Sequence, residues 1–304
     1  MFWFQRGNAL RHAILGAGGV GLALGASLAK SGLPVVLVMT ESSYSRYPGR
    51  ITVHSKLRES YSVPVRAVER LTEPIDVLWV ATKAPALDSA LERIHLAGEA
   101  PSIVPLLNGI GHLGPLRARF GPSLLPGSIR IEAMRTAPGE VTWNSLFASV
   151  DLASEDVTNA SRLRSLRAEL EQAGFGCQFG DSAEAVLWHK LIFLLPLALA
   201  TTAAKGPVGV VRRNPELLAL MRDVCRELCA VAASQGIAVD AAASQRLLDS
   251  FPGRTDSSMH RDAAEGRPTE LDALTEPVLR LGAAGGIPTP SIRELAQYAR
   301  DAGS

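Results

Sequence analysis

The sequence predicts an α/β fold: an N-terminal Rossmann-type dinucleotide-binding domain with a mostly parallel sheet, followed by an all-α C-terminal domain. Three observations carry this. An apolar run, Ala13-Ile14-Leu15, ends in Gly16-x-Gly18-x-x-Gly21, and residues 22–30 continue at helical spacing. Apolar runs of strand length then alternate with helical segments as far as Leu107, the pattern of a parallel sheet. Beyond Asp181 the strand signals stop, and the remaining segments carry helical periodicity. The change of texture near Ser182 divides the chain into a dinucleotide-binding domain over 1–181 and a helical substrate and catalytic domain over 182–304.

The first helix is followed by the break Ser31-Gly32-Leu33-Pro34 and a second apolar run over 35–39. In that strand–turn–helix–strand context the glycines read as phosphate-binding. Gly16 permits the tight turn, Gly18 lets the backbone approach a pyrophosphate, and Gly21 lets the helix pack on the strand. The helix N-terminus, through Ala17, Gly19 and Val20, then presents N–H groups and partial positive charge to the phosphates. A merely structural glycine turn is the alternative. Residues 40–50 are polar and irregular. Short strands are expected over 51–54 and 63–66, a buried strand over 75–81, a helix over 84–97 and a strand over 103–107 that ends at Asn108-Gly109. Residues 129–131, 140–143 and 146–150 suggest antiparallel strands about the turn Pro138-Gly139. A helix over 160–173 and a last strand over 174–179 close the domain. Helices are then expected over 183–203, 215–235, 241–250, 258–265, 270–283 and 291–302.

At 304 residues and 47% hydrophobic composition, the chain can bury a substantial core. Lys+Arg 31 against Asp+Glu 30 leaves a net charge of +1, with no basic excess for a nucleic acid and no acidic tail. The three cysteines fit a reducing compartment better than a disulfide framework. Cys225 and Cys229 fall i,i+4 on a helix and read as core; no neighbouring His or Cys pair completes a metal site. The run Met1-Phe2-Trp3-Phe4 is too short for a secretory signal. The stretch 191–203 contains Pro196 and falls short of a bilayer span. The expectation is a soluble, cytoplasmic protein with a small-molecule partner, no nucleic acid, no membrane and no metal. The oligomeric state is not fixed, and a homodimer is compatible with the sequence.

Chemistry is sought at the carboxyl ends of the parallel strands, where open α/β sheets bind ligands, and in the cleft between the two domains. Lys83 and Asn108 stand there. Each also has a plain reading, Lys83 as a solvated helix-start residue and Asn108 as a turn former. Lys190 lies in a helix that is apolar on most sides, where an ammonium is costly unless it meets a wet cleft or a partner. Partial desolvation lowers a lysine's pKa and suits it to donate a proton near neutrality; a snorkelling surface lysine is the alternative. Glu270 alone is an acid in a helix's first turn, and Ser258 alone a helix cap.

With these residues placed, the chain resembles the ketopantoate reductase (2-dehydropantoate 2-reductase) family from Ile14 to about Leu295. The resemblance rests on Leu15-Gly16-Ala17-Gly18-Gly19-Val20-Gly21, on Asp76-Val77-Leu78-Trp79-Val80-Ala81-Thr82-Lys83-Ala84, and on Leu107-Asn108-Gly109-Ile110-Gly111. Trp188-His189-Lys190-Leu191, Ser257-Ser258-Met259 with Glu270 beyond it, and Gly286-Ile287-Pro288-Thr289-Pro290 complete it. It implies NADPH-dependent reduction of a 2-oxo acid, as in pantothenate biosynthesis. The family's proton donor falls on Lys190, its substrate-contacting acid on Glu270 and its carboxylate-binding serine on Ser258. Its residues beside the nicotinamide ribose fall on Lys83 and Asn108.

Two departures stand out. The family carries substrate-holding asparagines four and eight residues after the lysine and three before the serine; here these positions are Leu194, Ala198 and Thr255. A pantoyl group would find its polar atoms unpaired, which is expensive, so a more apolar 2-oxo acid competes with ketopantoate. The family's arginine after the second strand, for the 2′-phosphate, is Thr40 here, with Glu41 one residue on. Thr40, Ser42, Ser43 and Arg46 could together hold a phosphate, which favours NADP and leaves NAD open. Two further readings stay on the table: an NAD-dependent D-2-hydroxyacid dehydrogenase on the same scaffold, and a non-catalytic NADPH-binding sensor.

Overall fold

The computed structural model describes residues 9–96, 98–153, 160–180 and 182–303. The run Met1-Phe2-Trp3-Phe4, the far end of the expected helix at Ala97 and the expected boundary residue Asp181 lie outside them. The chain divides into two compact units, Met1–Leu107 with Leu113–Val186, and Asn108–His112 with Leu187–Ser304.

In the first unit, β1 (His12–Leu15), α1 (Gly19–Lys30) and β2 (Val35–Val38) are followed by α2 (Glu41–Tyr44), β3 (Arg50–His54), β4 (Tyr61–Pro64), β5 (Arg66–Val68) and β6 (Val77–Val80). Then come α3 (Leu87–Leu91), β7 (Ser102–Pro105), α4 (Leu113–Phe120), β8 (Gly127–Arg130), β9 (Ala133–Ala137), β10 (Glu140–Trp143), β11 (Ser149–Leu152), α5 (Ala160–Gln172) and β12 (Gly176–Phe179). One five-stranded sheet has the order β5-β2-β1-β6-β7, every pair parallel. Counted within that sheet the order is 3-2-1-4-5, that of a dinucleotide-binding sheet. β1, β2, β6 and β7 are buried along their whole length, which is why they read as continuous apolar runs.

The antiparallel texture belongs to two smaller mixed sheets. β4-β3-β10-β9 pairs β9 with β10 about Pro138-Gly139, and β12-β11-β8 stands apart from it. α1 packs against both the parallel sheet and β3, β4, β9 and β10, so residues 21–28 are buried all round. Beneath the parallel sheet the imidazole of His12 is fully buried. Trp79 Nε1 donates to its Nδ1 at 3.1 Å, so the proton sits on Nε2, which donates to Glu169 at 3.0 Å. Glu169 also accepts the Leu10 N–H, tying α5 to β1.

Several elements differ from the sequence expectation. The helix expected over 84–97 is a 3₁₀ turn, Ala84–Ala86, and then α3, which ends at Leu91; Ile94 leaves to bridge Leu71. The segment 40–50 contains α2, capped by Thr40, whose Oγ1 accepts the Ser43 N–H. The strand expected from Leu146 begins at Ser149, and Leu146 and Phe147 are exposed instead.

α6 (Ala183–Ala203) carries the chain into the second unit, which is otherwise α7 (Val208–Val211), α8 (Pro215–Ser234), α9 (Ala241–Ser250), α10 (Ser258–Ala264), α11 (Leu271–Ala284) and α12 (Pro290–Ala302). The one-turn α7 was not expected. α6 runs longer than the apolar stretch 191–203 alone suggested, and by length and composition it could cross a membrane. Its most apolar window is 78% buried in protein, as in the core helix of a folded domain.

Candidate functional site

The glycine turn in the first unit is shaped by close approach. Gly16 sits at φ +107°, where an L side chain is strained, and a Cβ there would lie 2.9 Å from the Ala81 carbonyl oxygen. A Cβ on Gly21 would lie 2.0 Å from the Gly16 carbonyl oxygen. Gly18 differs: it is exposed, it is the N-cap of α1, and a Cβ there would meet nothing within 4 Å. The turn is closed against protein at Gly16 and Gly21 and open at Gly18. That suits a pyrophosphate laid over the helix N-terminus, flanked by Ala17, Gly19 and Val20. Lys83, exposed, follows β6 as the N-cap of the 3₁₀ turn.

A hollow of about 200 Å³ opens from this turn past the end of β2. Ala17, Met39, Ser43, Arg46 and Tyr47 line it on one side, and Arg135 with residues 136–139 on the other. Thr40 is not among the lining residues; its hydroxyl is engaged in capping α2. Glu41 is not among them either. Arg135 was missed in the sequence because it lies more than a hundred residues from the glycine turn, on a strand outside the parallel sheet. Another hollow of the first unit, about 410 Å³, lies elsewhere, beside Lys30, Arg58, Tyr61 and Trp143. Within it Lys30 donates to Glu59 and Gln172 to the Ser31 carbonyl, while Arg58 donates to the Ser145 and Leu146 carbonyls.

The second unit brings together most of the expected substrate residues. Asn108, Leu194, Ala198, Ser258 and Glu270 line one small hollow with Ser257, Met259, Asp262 and Leu274. Leu194 and Ala198 are one turn apart on α6, and Lys190, half-buried, precedes them on the same face. Asn108 Nδ2 donates to Glu270 Oε2 at 3.3 Å and fixes that carboxylate at the start of α11. Ser257 Oγ accepts the His260 N–H as cap of α10 and sits 2.7 Å from Thr201 Oγ1 on α6. That pinning leaves its neighbour Ser258 as the exposed hydroxyl of the pair. Asp262 is neutralised by Arg267, 2.8 Å away. Lys190 and Thr255 are not among the lining residues; the Thr255 carbonyl accepts the Val208 N–H.

Sequence reasoning also passed over His112. It is 5% exposed, and its Nε2 has no hydrogen-bond partner among the described residues. Burial pushes its pKa down to about 4, and the positive charge of Lys190 adds to the effect. The imidazole is therefore neutral at pH 7. Among the described residues no cluster of acidic, His or Cys side chains could hold a metal ion.

Comparison with known proteins agrees with this architecture. The chain matches the ketopantoate reductase PanE/ApbA family over residues 12–188 and that family's C-terminal domain over residues 182–302. It is 26% identical to a 2-dehydropantoate 2-reductase of Mesorhizobium japonicum, over 93% of this chain and 94% of that one. Among solved structures, the 2-dehydropantoate 2-reductase of Geobacter metallireducens superposes with a TM-score of 0.86 at 28% identity, covering 96% of this chain and all of that one. A D-mandelate dehydrogenase in complex with NADH and anilino(oxo)acetate shares the fold, with a TM-score of 0.87 at 22% identity over 97% and 98% of the two chains. A nucleotide-ready glycine turn on a 3-2-1-4-5 sheet, a helical unit with a fixed glutamate, and matches that span nearly the whole chain converge: this protein belongs to the ketopantoate reductase family and is a nicotinamide-dependent oxidoreductase.

Proposed function

We propose that the chain reduces a 2-oxo acid with an apolar side chain to the 2-hydroxy acid, with NADPH as reductant. The observation that carries the substrate class is the hollow around Glu270. Leu194, Ala198, Met259 and Leu274 give it an apolar wall, where a hydroxylated substrate would need amides. An unpaired buried hydroxyl costs about 1–3 kcal/mol, enough to displace ketopantoate as the preferred substrate. The reduced nicotinamide, when bound, supplies two electrons and a hydrogen to the carbonyl carbon. Lys190 Nζ gives the carbonyl oxygen its proton and regains one from solvent. The Ser258 hydroxyl donates a hydrogen bond to the substrate carboxylate. Glu270, fixed by Asn108, contacts the substrate, and Lys83 and Asn108 contact the nicotinamide ribose. Thr255, two residues before Ser257, is not among the residues that line this hollow, and its carbonyl is taken by the Val208 N–H. The preference for NADPH is supported by the hollow past β2, which Arg46 and Ser43 line and no carboxylate does.

One observation favours a second reading. The D-mandelate dehydrogenase that shares the fold holds NADH and an aryl-bearing oxo acid. An NAD-dependent D-2-hydroxyacid dehydrogenase would keep the apolar substrate and exchange the cofactor. A third reading, nucleotide binding without turnover, is separated by activity alone. For assembly, a ketopantoate reductase of Staphylococcus aureus with the same fold is described as dimeric, and a homodimer is proposed here, to be checked by light scattering.

The decisive experiment is a panel of 2-oxo acids assayed with each cofactor by loss of nicotinamide absorbance. The expected result is faster turnover of branched and aryl 2-oxo acids than of ketopantoate, with kcat/KM higher for NADPH. A strong preference for NADH would establish the second reading. No turnover with any acid under either cofactor would overturn the enzymatic one.

A further inference from the structure

We propose that Arg135, on β9, is the second arm of a two-sided clamp on the 2′-phosphate of the cofactor's adenosine, facing Arg46. The proposal rests on the NADPH reading above and extends it to a residue on a different sheet.

Gly19 fixes how closely β9 approaches α1. A Cβ there would lie 2.2 Å from the Ala133 carbonyl oxygen and 3.0 Å from Met134 Cα. The backbone of β9 therefore runs in contact with the first residue of α1, which only glycine allows. Side chains alternate along a strand, so Arg135 shares the face of Ala133. It is carried there to the wall of the hollow that starts at Ala17, inside the glycine turn, and continues past Met39 at the end of β2. In an open dinucleotide-binding sheet this is where the adenosine ribose lies.

The chemistry of the wall selects the ligand. Arg46 and Arg135 come from separate segments, both are exposed, and no Asp or Glu lines the hollow. Among the described residues neither guanidinium has a carboxylate partner; Arg46 Nε donates to the Ser42 carbonyl at 2.8 Å, and its Nη groups are left for other acceptors. Ser43 Oγ accepts the Thr40 hydroxyl at 3.1 Å, so the Ser43 proton is available to a third acceptor. Two guanidinium forks and a hydroxyl donor match a phosphomonoester dianion, which accepts in bidentate fashion. A ribose diol would instead need a carboxylate acceptor. Glu41, which could supply one, is not on the wall.

The test compares two probes by titration calorimetry, adenosine 2′,5′-bisphosphate and adenosine 5′-monophosphate, in the wild type, Arg135→Ala, Arg135→Lys and Arg46→Ala. Arg135→Ala is expected to weaken the bisphosphate about tenfold or more, the range of a charge-assisted hydrogen bond. It should leave the monophosphate within about twofold. Arg135→Lys, which keeps the charge and loses the fork, should fall between. Both arginines are exposed, so unchanged circular dichroism is expected throughout. If Arg46→Ala is selective for the bisphosphate and Arg135→Ala is not, the clamp is overturned while the NADPH reading stands. If the wild type binds the two probes equally, the NADPH reading falls and takes the clamp with it.

Discussion

The glycine turn of the first unit is shaped by side chains that are absent, and the hollow of the second by side chains that are present. At Gly16, Gly19 and Gly21 a single methyl group would strike backbone. The turn therefore admits one geometry, and the group it holds is fixed by the chain's path. Around Glu270 the lining comes from four separate stretches, Asn108, α6, residues 257–262 and residues 270–274. Its character is set by side chains rather than by close approach of the backbone. A fold built this way keeps its cofactor while its substrate is retuned, and perturbing each region should produce a different kind of loss.

The largest expected effect is at Lys190. Lys190→Ala should lower kcat by roughly 10²–10⁴-fold, the usual contribution of a positioned general acid. Cofactor affinity, measured by quenching of protein fluorescence, should change little if, as proposed, the dinucleotide is held mainly by the first unit. Equal loss in both would merge the two regions into one and break the comparison.

Next is the acid response of the second unit. Unfolded, the His112 imidazole titrates near its ordinary 6.5; folded, it stays neutral down to about 4. Between those values only the unfolded state takes up the proton, so stability falls as pH drops from 6.5 to 4 and levels off below. The gap corresponds to about 3 kcal/mol. His112→Leu should remove that share of the acid destabilisation, read as urea midpoints at pH 7.5 and pH 5. An identical pH dependence in wild type and variant would mean that the imidazole is solvated.

Gly21→Ala reverses the pattern expected for Lys190. Its Cβ would overlap the Gly16 carbonyl, and overpacking of this kind costs about 1–3 kcal/mol. Dinucleotide affinity should fall at least tenfold, while the second unit's own packing should be unaffected. A variant that binds NADPH normally would show that α1 can shift away from the turn.

The same contrast explains what could be read from the chain alone. The glycine turn is contiguous in sequence and its logic is backbone geometry, so the turn and its sheet were legible. Leu194 and Ala198 could be paired from spacing because one helix sets them four apart, and both line the hollow; Lys190, one turn before them, does not line it. Arg135 was not legible, since it comes near Ala17 only through the contact between β9 and α1, a pairing that no local pattern announces. His112 was not, since nothing in Gly111-His112-Leu113 signals burial. The helix expected over 84–97 failed for a similar reason: a long-range bridge between Ile94 and Leu71 won over local helical spacing.

The smallest effect is the most discriminating for the substrate. Leu194 and Ala198 face the hollow that holds Ser258 and Glu270, so Leu194→Asn with Ala198→Asn should restore two amide partners for a hydroxylated substrate. One polar contact contributes on the order of 1 kcal/mol. The ratio of kcat/KM for ketopantoate over an apolar 2-oxo acid should therefore rise several-fold. Leu194 is half-buried and Ala198 only 2% exposed, so the larger share of the gain should come from Leu194→Asn, with Ala198→Asn adding bulk to a tight wall. A single Leu194→Asn variant separates the two contributions. An unchanged ratio in a folded double variant would place the substrate's polar groups away from this face of α6 and return ketopantoate to the list of natural substrates.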